Sequence, residues 1–264
     1  MKKYLVIGNP IEHSLSPKLH NFWMKKNKID GIYTKQKINE NEINKIISEI
    51  KNESISGINI TVPFKKIVIP FLDKLTPIAD KAQSVNMIFK ENNKLVGHNT
   101  DVEGFELAIK HFGYDIKNKK VFIIGAGGVV PSIILALRKM NIAKIILSNR
   151  TKKKSLELKS TYNELEIIDW GDTPDFDIVI NATSLGLNQN DIIPIDYKNF
   201  KDQKLFYDVI YNPKITNFLN KAKQEGHLIE NGKMMFIYQA HQSFTLWHKK
   251  MPQIDEETIR LLEQ

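Results

Sequence analysis

The run K-V-F-I-I-G-A-G-G-V-V at 120–130 constrains this chain more than any other stretch. Val121, Phe122, Ile123 and Ile124 are consecutive apolar residues of the kind that fill strands buried on both faces. A glycine turn follows, and helical spacing begins directly after it. Strand, glycine turn and helix in that order make a seat for a pyrophosphate. The glycines let backbone N–H groups approach the anion, and the helix N-terminus adds partial positive charge. The pattern is G-A-G-G rather than G-x-G-x-x-G, so its context carries the weight. Pro131 agrees with a helix start, because a first-turn N–H has no intrahelical partner to lose.

A second apolar run, I-I-L-S at 145–148, ends roughly two dozen residues after the glycine turn. A site for an unmodified ribose 2′-hydroxyl carries Asp or Glu there. This chain has Asn149, Arg150, Thr151, Lys152, Lys153 and Lys154 instead. A carboxylate would repel a 2′-phosphate, whereas a guanidinium grips one bidentately. These residues point to NADP(H) as the coenzyme.

The chain has 264 residues, 42% of them hydrophobic, which allows one large domain or two modest ones. It has no cysteine, so disulfide and thiolate chemistry are excluded. No early stretch has the apolar core of a signal peptide and no run is long enough to cross a bilayer, so the expected location is cytoplasmic. The net charge of +8 raises the question of nucleic acid, but only Arg138, Arg150 and Arg260 are arginines. Base readout and phosphate clamping favour arginine, and the lysines are scattered. Neither nucleic acid nor membrane is an expected partner. The histidines show no metal spacing, and no metal is expected.

Hydrophobic periodicity predicts strands at 3–8, 33–38 and 57–62, a hairpin of 85–89 with 94–97, and helices at 16–24 and 41–50. Ile43, Ile46, Ile47 and Ile50 share the inner face of the second helix. The strand–helix rhythm restarts near Asp101 with a helix over 102–112. It continues through the glycine-turn strand, a helix over 129–140 and strands at 145–148, 178–181 and 205–209. Helices over 215–224, 235–247 and 256–262 complete the chain. The expected class is α/β. An N-terminal α/β substrate domain over 1–101 precedes a Rossmann-like NADP-binding domain over 102–235, and C-terminal helices over 236–264 pack back on the first domain.

Polar clusters fall at strand ends and turns of the first domain, where α/β folds place their sites. Ser14 and Ser16 put two hydroxyls beside a helix start, a neutral seat for a carboxylate; capping of the helix by Ser16 is an equally good reading. Asn59 and Thr61 lie on one face of a strand by alternation, and Lys65 follows Pro63. Asp101 opens a helix. Lys65 and Asp101 meeting in a cleft would form an acid/base pair, while each alone is a solvated surface charge. Spacing does not show that they meet. Asn181, Thr183 and Ser184, at a strand's carboxyl end, either line a coenzyme cleft or cap the strand.

The chain resembles the shikimate dehydrogenase family nearly end to end. The matching segments are G-N-P-I-E-H-S-L-S-P (8–17), G-I-N-I-T-V-P-F-K (57–65), S-V-N-M (84–87), G-H-N-T-D (97–101) and G-A-G-G (125–128). N-R-T (149–151), N-A-T-S-L-G-L (181–187), D-V-I-Y-N-P (208–213), N-G-K-M-M (231–235) and Q-A-H-Q-S-F (239–244) follow in order. The resemblance implies reversible NADPH-dependent reduction of 3-dehydroshikimate to shikimate, a step of aromatic amino acid biosynthesis. It implies that Ser14 and Ser16 hold the substrate carboxylate, that Thr61, Asn86, Asp101 and Gln239 engage its hydroxyls, and that Lys65 is the acid/base assisted by Asp101. Tyr211 lies near the substrate. Gly125, Ala126, Gly127, Gly128 and Val129 cradle the pyrophosphate. Asn149, Arg150, Thr151 and Lys152 to Lys154 take the adenosine ribose and its phosphate, and Ile210 and Gly232 contact the nicotinamide end. The expected assembly is a monomer or homodimer.

The chain departs from the family pattern in four places. Met87 stands where a threonine is common, Val129-Val130-Pro131 replaces small residues, Pro77 replaces an acidic residue and Leu187 replaces a methionine. The competing readings are a quinate/shikimate dehydrogenase using NAD and a ligand-binding homologue without activity. Arg150 speaks against the first, and retention of both Lys65 and Asp101 against the second.

Overall fold

The computed structural model describes residues 1–263. The described residues form two compact units, one of residues 1–104 with 237–263 and one of residues 105–236.

The first unit is built on β1 (Lys2–Gly8), α1 (Ser16–Lys26), β2 (Gly31–Lys37), α2 (Ile43–Lys51) and β3 (Gly57–Ile60). It continues through β4 (Lys74–Leu75), α3 (Pro77–Ala82), β5 (Met87–Glu91), β6 (Lys94–His98) and the start of α4 (Asp101–Phe112). Its sheet runs in the order β2-β1-β3-β5-β6-β4. β2, β1 and β3 are parallel, because α1 and α2 provide the crossovers. β5 and β6 form the expected antiparallel hairpin, with Ile88 opposite Gly97. On α2, Ile43, Ile46, Ile47 and Ile50 are all buried, packing in one cluster with Ile7, Ile58, Ile60 and Phe64. That stripe packs α2 against the sheet, and β3 ends at Ile60, just before Thr61.

The second unit holds β7 (Lys120–Ile124), α5 (Val130–Lys139), β8 (Lys144–Ser148), α6 (Lys152–Thr161) and β9 (Glu166–Ile168). β10 (Ile178–Asn181), β11 (Leu205–Asp208), α7 (Asn217–Gln224) and β12 (Leu228–Glu230) complete its frame. All its strands are parallel, in the order β12-β11-β10-β7-β8-β9. The strand order reverses between β7 and β10. At such a switch point the loops at the carboxyl ends diverge and leave a crevice. The residues facing it follow Ile124 and Asn181. Buried Phe122, Ile124, Phe176, Val179 and Phe206 form the core on one side of the sheet.

The long helix α8 (Lys233–His248) and α9 (Glu256–Leu261) follow, and their residues from Ile237 onward belong to the first unit. Lys26 on α1 pairs with Asp255 and Glu257 at the start of α9, each at 2.8 Å. Trp23 and Phe244 meet edge-on at 5.7 Å between ring centres, so the return of the C-terminal helices is sealed by aromatic packing.

Several elements differ from the sequence reading. Ser16 is the first residue of α1 rather than its cap; Leu15 holds the cap position, and the Ser16 N–H donates to Ser14 Oγ at 3.3 Å. β3 stops at Ile60, so Thr61 lies in the turn beyond it and is half-buried, while Asn59 is buried. Helix α6 gave no apolar stripe because Ser155 is its one buried residue, and K-K-K-S-L-E-L-K-S-T has no period to read. Helix α3 and strands β4, β9 and β12 are too short for a periodic signal. Pro77 sits in the first turn of α3, whose cap is Thr76.

Candidate active site

In the first unit, the turn after β3 carries Lys65 and the start of α4 carries Asp101. The two side chains meet: Lys65 Nζ donates to Asp101 Oδ2 at 2.6 Å, with only 10% and 8% of the side chains exposed. Lys65 is held from behind, since its carbonyl accepts from the Val85 N–H at 2.8 Å.

Asp101 is fixed on three sides. Asn86 Nδ2 donates to Asp101 Oδ1 at 2.9 Å, and Asn99 Oδ1 accepts from the Asp101 N–H at 3.0 Å. Asn86 also donates to Thr100 Oγ1 at 2.9 Å and accepts from the Thr100 N–H at 2.8 Å. Behind these lies Asn59. Its Nδ2 donates to the Asn86 carbonyl and to Ser243 Oγ, both at 3.0 Å, and its Oδ1 accepts from Tyr33 OH at 2.8 Å. Burial with full hydrogen bonding makes this network rigid, because any member left unpaired carries a desolvation penalty.

The unit therefore brings Lys65, Asp101, Asn86 and Asn59 into one connected set. Ser16 is buried and Ser14 half-buried at the N-terminus of α1, and Ser16 shares a hydrogen bond with Tyr33. Gln239 is on α8, and its carbonyl accepts from Ser243 Oγ at 3.1 Å. Thr61 is tied by its N–H to the Ile7 carbonyl at 2.9 Å, and no hydrogen bond links it to the Lys65 set. Tyr211, Ile210 and Gly232 belong to the second unit. The sequence reading passed over Thr100 and Ser243. Both had a signal: Thr100 precedes Asp101 within G-H-N-T-D, and Ser243 lies four residues after Gln239, one turn along the same face.

In the second unit, Gly125 follows β7 with φ +118°, a conformation that only glycine adopts without strain. A Cβ there would come within 2.8 Å of the Ala182 carbonyl. Gly127 and Gly128 are exposed, Ala126 and Val129 half-buried, and α5 begins at Val130. Bare backbone at the amino end of a buried helix is the donor set a pyrophosphate needs, so the residues fit a dinucleotide.

The region after β8 points the same way. Lys152, Lys153 and Lys154 form the first turn of α6, with no acidic residue in that turn. Cations at a helix N-terminus oppose the macrodipole, and this arrangement is relieved by a bound anion. Lys152 is already paired with Asp169 at 2.6 Å, an exposed contact worth little by itself. Arg150 is exposed, and Asn149 donates to the Thr151 carbonyl at 2.9 Å, shaping the loop.

Asn181 behaves as a strand-end cap: it donates to the Leu185 carbonyl and to Asp208 Oδ1, and accepts from the Thr183 N–H and hydroxyl. Asp208 is fully buried at the end of β11. Burial raises its carboxyl pKa to about 6, against the hydrogen bonds from Thr216, the Ile210 N–H and Asn181 that favour its charge. Gly232 is a packing glycine, since a Cβ would overlap the Val209 carbonyl. Tyr211 stacks on Phe236 with ring centres 4.5 Å apart. Among the described residues no group of three or more His, Cys, Asp or Glu is placed to hold a metal, and no helix is long and apolar enough to cross a membrane.

Residues 6–88 match the shikimate dehydrogenase substrate binding domain, and residues 106–216 match the shikimate / quinate 5-dehydrogenase family. The shikimate dehydrogenase (NADP(+)) of Pelagibacter ubique is 57% identical over 262 residues, covering 99% of both chains. The chain belongs to the shikimate dehydrogenase family. Among solved structures, the shikimate dehydrogenase of Aquifex aeolicus superposes with a TM-score of 0.90 at 32% identity, covering 100% of this chain and 98% of that one. The Thermus thermophilus shikimate 5-dehydrogenase, solved in complex with NADP(H) and shikimate, gives 0.89 at 28% identity, covering 100% and 99%. Within a shikimate dehydrogenase Lys65 lies in the region that matches the substrate binding domain, its partner Asp101 lies between the two matched regions, and the Gly125 turn lies in the second.

Proposed function

We propose that this chain interconverts 3-dehydroshikimate and shikimate with NADP(H). The observation that carries the reading is the buried Lys65–Asp101 pair, 2.6 Å apart within the first unit of a family member. Reducing a ketone leaves negative charge on the carbonyl oxygen, which needs a proton and a nearby positive charge. An ammonium supplies both. Lys65 donates a proton to that oxygen in reduction and accepts it back in oxidation, while Asp101 holds the ammonium in place. The bound nicotinamide supplies or takes the hydride.

Substrate recognition is assigned to Ser14 and Ser16 for the carboxylate, and to Thr61, Asn86, Asp101, Tyr211 and Gln239 for the ring. Coenzyme recognition is assigned to Gly125, Ala126, Gly127, Gly128 and Val129, to Asn149, Arg150, Thr151 and Lys152 to Lys154, and to Ile210 and Gly232. The crowded lysines of α6 and the glycine-only backbone of the Gly125 turn support that assignment. Residues 1–101 and 236–264 act as the substrate part, and 102–235 as the coenzyme part. A cytoplasmic monomer or homodimer completes the reading, to be checked by fractionation and by light scattering.

The deciding experiment is spectrophotometric: shikimate and quinate are each assayed with NADP⁺ and NAD⁺. The proposal expects the highest kcat/KM with shikimate and NADP⁺. Preference for quinate with NAD⁺, or ligand binding without turnover, would overturn it.

A further inference from the structure

We infer that Ser243 is a positioning residue for this reaction, joining the helical turn that carries Gln239 to the network that orients Lys65 and Asp101. The inference rests on the shikimate reading above. Ser243 lies within α8, is fully buried and is four residues after Gln239. A serine in a helix interior is a poor choice for the helix alone, because its hydroxyl competes for backbone groups. Its surroundings give the reason for it.

Proton accounting gives one consistent set of hydrogen-bond directions around it. Asn59 Nδ2 faces the Asn86 carbonyl, which only accepts, so the amide orientation of Asn59 is set. The second N–H of that amide goes to Ser243 Oγ at 3.0 Å. Asn86 Nδ2 uses its two protons on Asp101 Oδ1 and Thr100 Oγ1. Thr100 Oγ1 lies 3.3 Å from Ser243 Oγ, a contact in which Thr100 is the donor once the Ser243 proton is committed elsewhere. Ser243 passes its proton to the Gln239 carbonyl at 3.1 Å. Two branches, one from Asn59 and one from the Asn86–Thr100 pair, thus end on a single hydroxyl. Removing that hydroxyl leaves two buried donors without acceptors. The nearest remedy is reorientation of Thr100 and Asn86, and Asn86 is the residue that holds Asp101.

The test compares Ser243→Ala and Ser243→Cys with the unaltered enzyme in steady-state shikimate oxidation, alongside thermal melting. For Ser243→Ala the expected result is a fall in kcat of about tenfold and a rise of several-fold in KM for shikimate. KM for NADP⁺ stays within about twofold, and Ser243→Cys, nearly the same in volume and still able to donate and accept weakly, falls between. A residue that only stabilises the fold would lower the melting temperature and the active fraction, with both KM values unchanged; that result overturns the inference. If Ser243→Ala does not fold, Ser243→Cys carries the same test, and an unchanged KM for shikimate in it refutes the idea. Failure of the unaltered enzyme to oxidise shikimate would instead refute the proposed function.

Discussion

Breaking the Lys65–Asp101 pair from either side tests the site through stability as well as activity. At 2.6 Å and an effective dielectric near 20, the gross attraction of the two charges is about 6 kcal/mol. Burying each charge to roughly a tenth exposure costs several kcal/mol per ion, so the net value of the intact pair is small. The single variants are different. Asp101→Ala leaves a buried ammonium whose one ion-pair partner among the described residues is gone. Lys65→Met leaves a buried carboxylate that keeps the Asn86 hydrogen bond but has lost its counter-charge. Each is expected to lose about 3–5 kcal/mol, because an uncompensated buried charge remains. The double variant Lys65→Met/Asp101→Ala has no buried charge and should recover at least about 2 kcal/mol of the summed loss. Urea unfolding followed by circular dichroism gives the four stabilities of the cycle. Turnover should fall at least about a hundredfold in every variant, as for loss of a general acid. A coupling free energy near zero, or near-normal turnover in Lys65→Met, would show that the reasoning about this pair is wrong.

Other consequences are as direct. Arg150→Ala should weaken NADPH far more than NADH in fluorescence titrations, because the guanidinium is assigned above to the 2′-phosphate that NADH lacks; equal weakening would remove Arg150 from that role. Gly125→Ala should be destabilised by about 1–3 kcal/mol in thermal melts and should lose NADP⁺ affinity, since its Cβ meets the Ala182 carbonyl at 2.8 Å in a left-handed conformation. His20 is fully buried, stacked on Tyr33 at 4.2 Å, and burial lowers its pKa to about 3. Its contribution to stability is present above the unfolded value of 6.5 and is lost as pH falls toward 3, about 2 kcal/mol of it by pH 5. His20→Phe should flatten urea midpoints between pH 7 and 5, and an unchanged slope would count against it. Asp208 has the opposite sign. Its folded pKa of about 6 lies above the unfolded value of 3.8, so its contribution is present below 3.8 and is lost as pH rises through 6. Asp208→Asn should therefore gain stability over the unaltered chain at pH 7.5 relative to pH 4, by up to about 3 kcal/mol.

Much of the second unit was legible because its signals are local. The buried β7 strand, the glycine turn and Pro131 follow one another in sequence, and short-range sterics decide each of them. The isoleucine stripe of α2 was legible for the same reason, since helical spacing alone puts four side chains on one face. Helix α6 was not, because its lysines obey an electrostatic demand rather than an apolar period. Ser16 illustrates a subtler miss. Composition marks a capping residue, but the chain starts the helix one position earlier and uses the Ser14 oxygen on the Ser16 N–H instead.

The amino-acid order by itself determined the strand–turn–helix fingerprint, the cationic run after β8 and the family to which the chain belongs. Only the tertiary structure decided that Lys65 and Asp101, 36 positions apart, share a proton-bearing contact, and that Ser243, 184 positions from Asn59, closes the network behind them. The division has a physical cause. Turn chemistry and helical periodicity act over a few residues, whereas the meeting of a lysine with an aspartate depends on how β3, β5 and β6 are registered and on a helix returning from the far end of the chain.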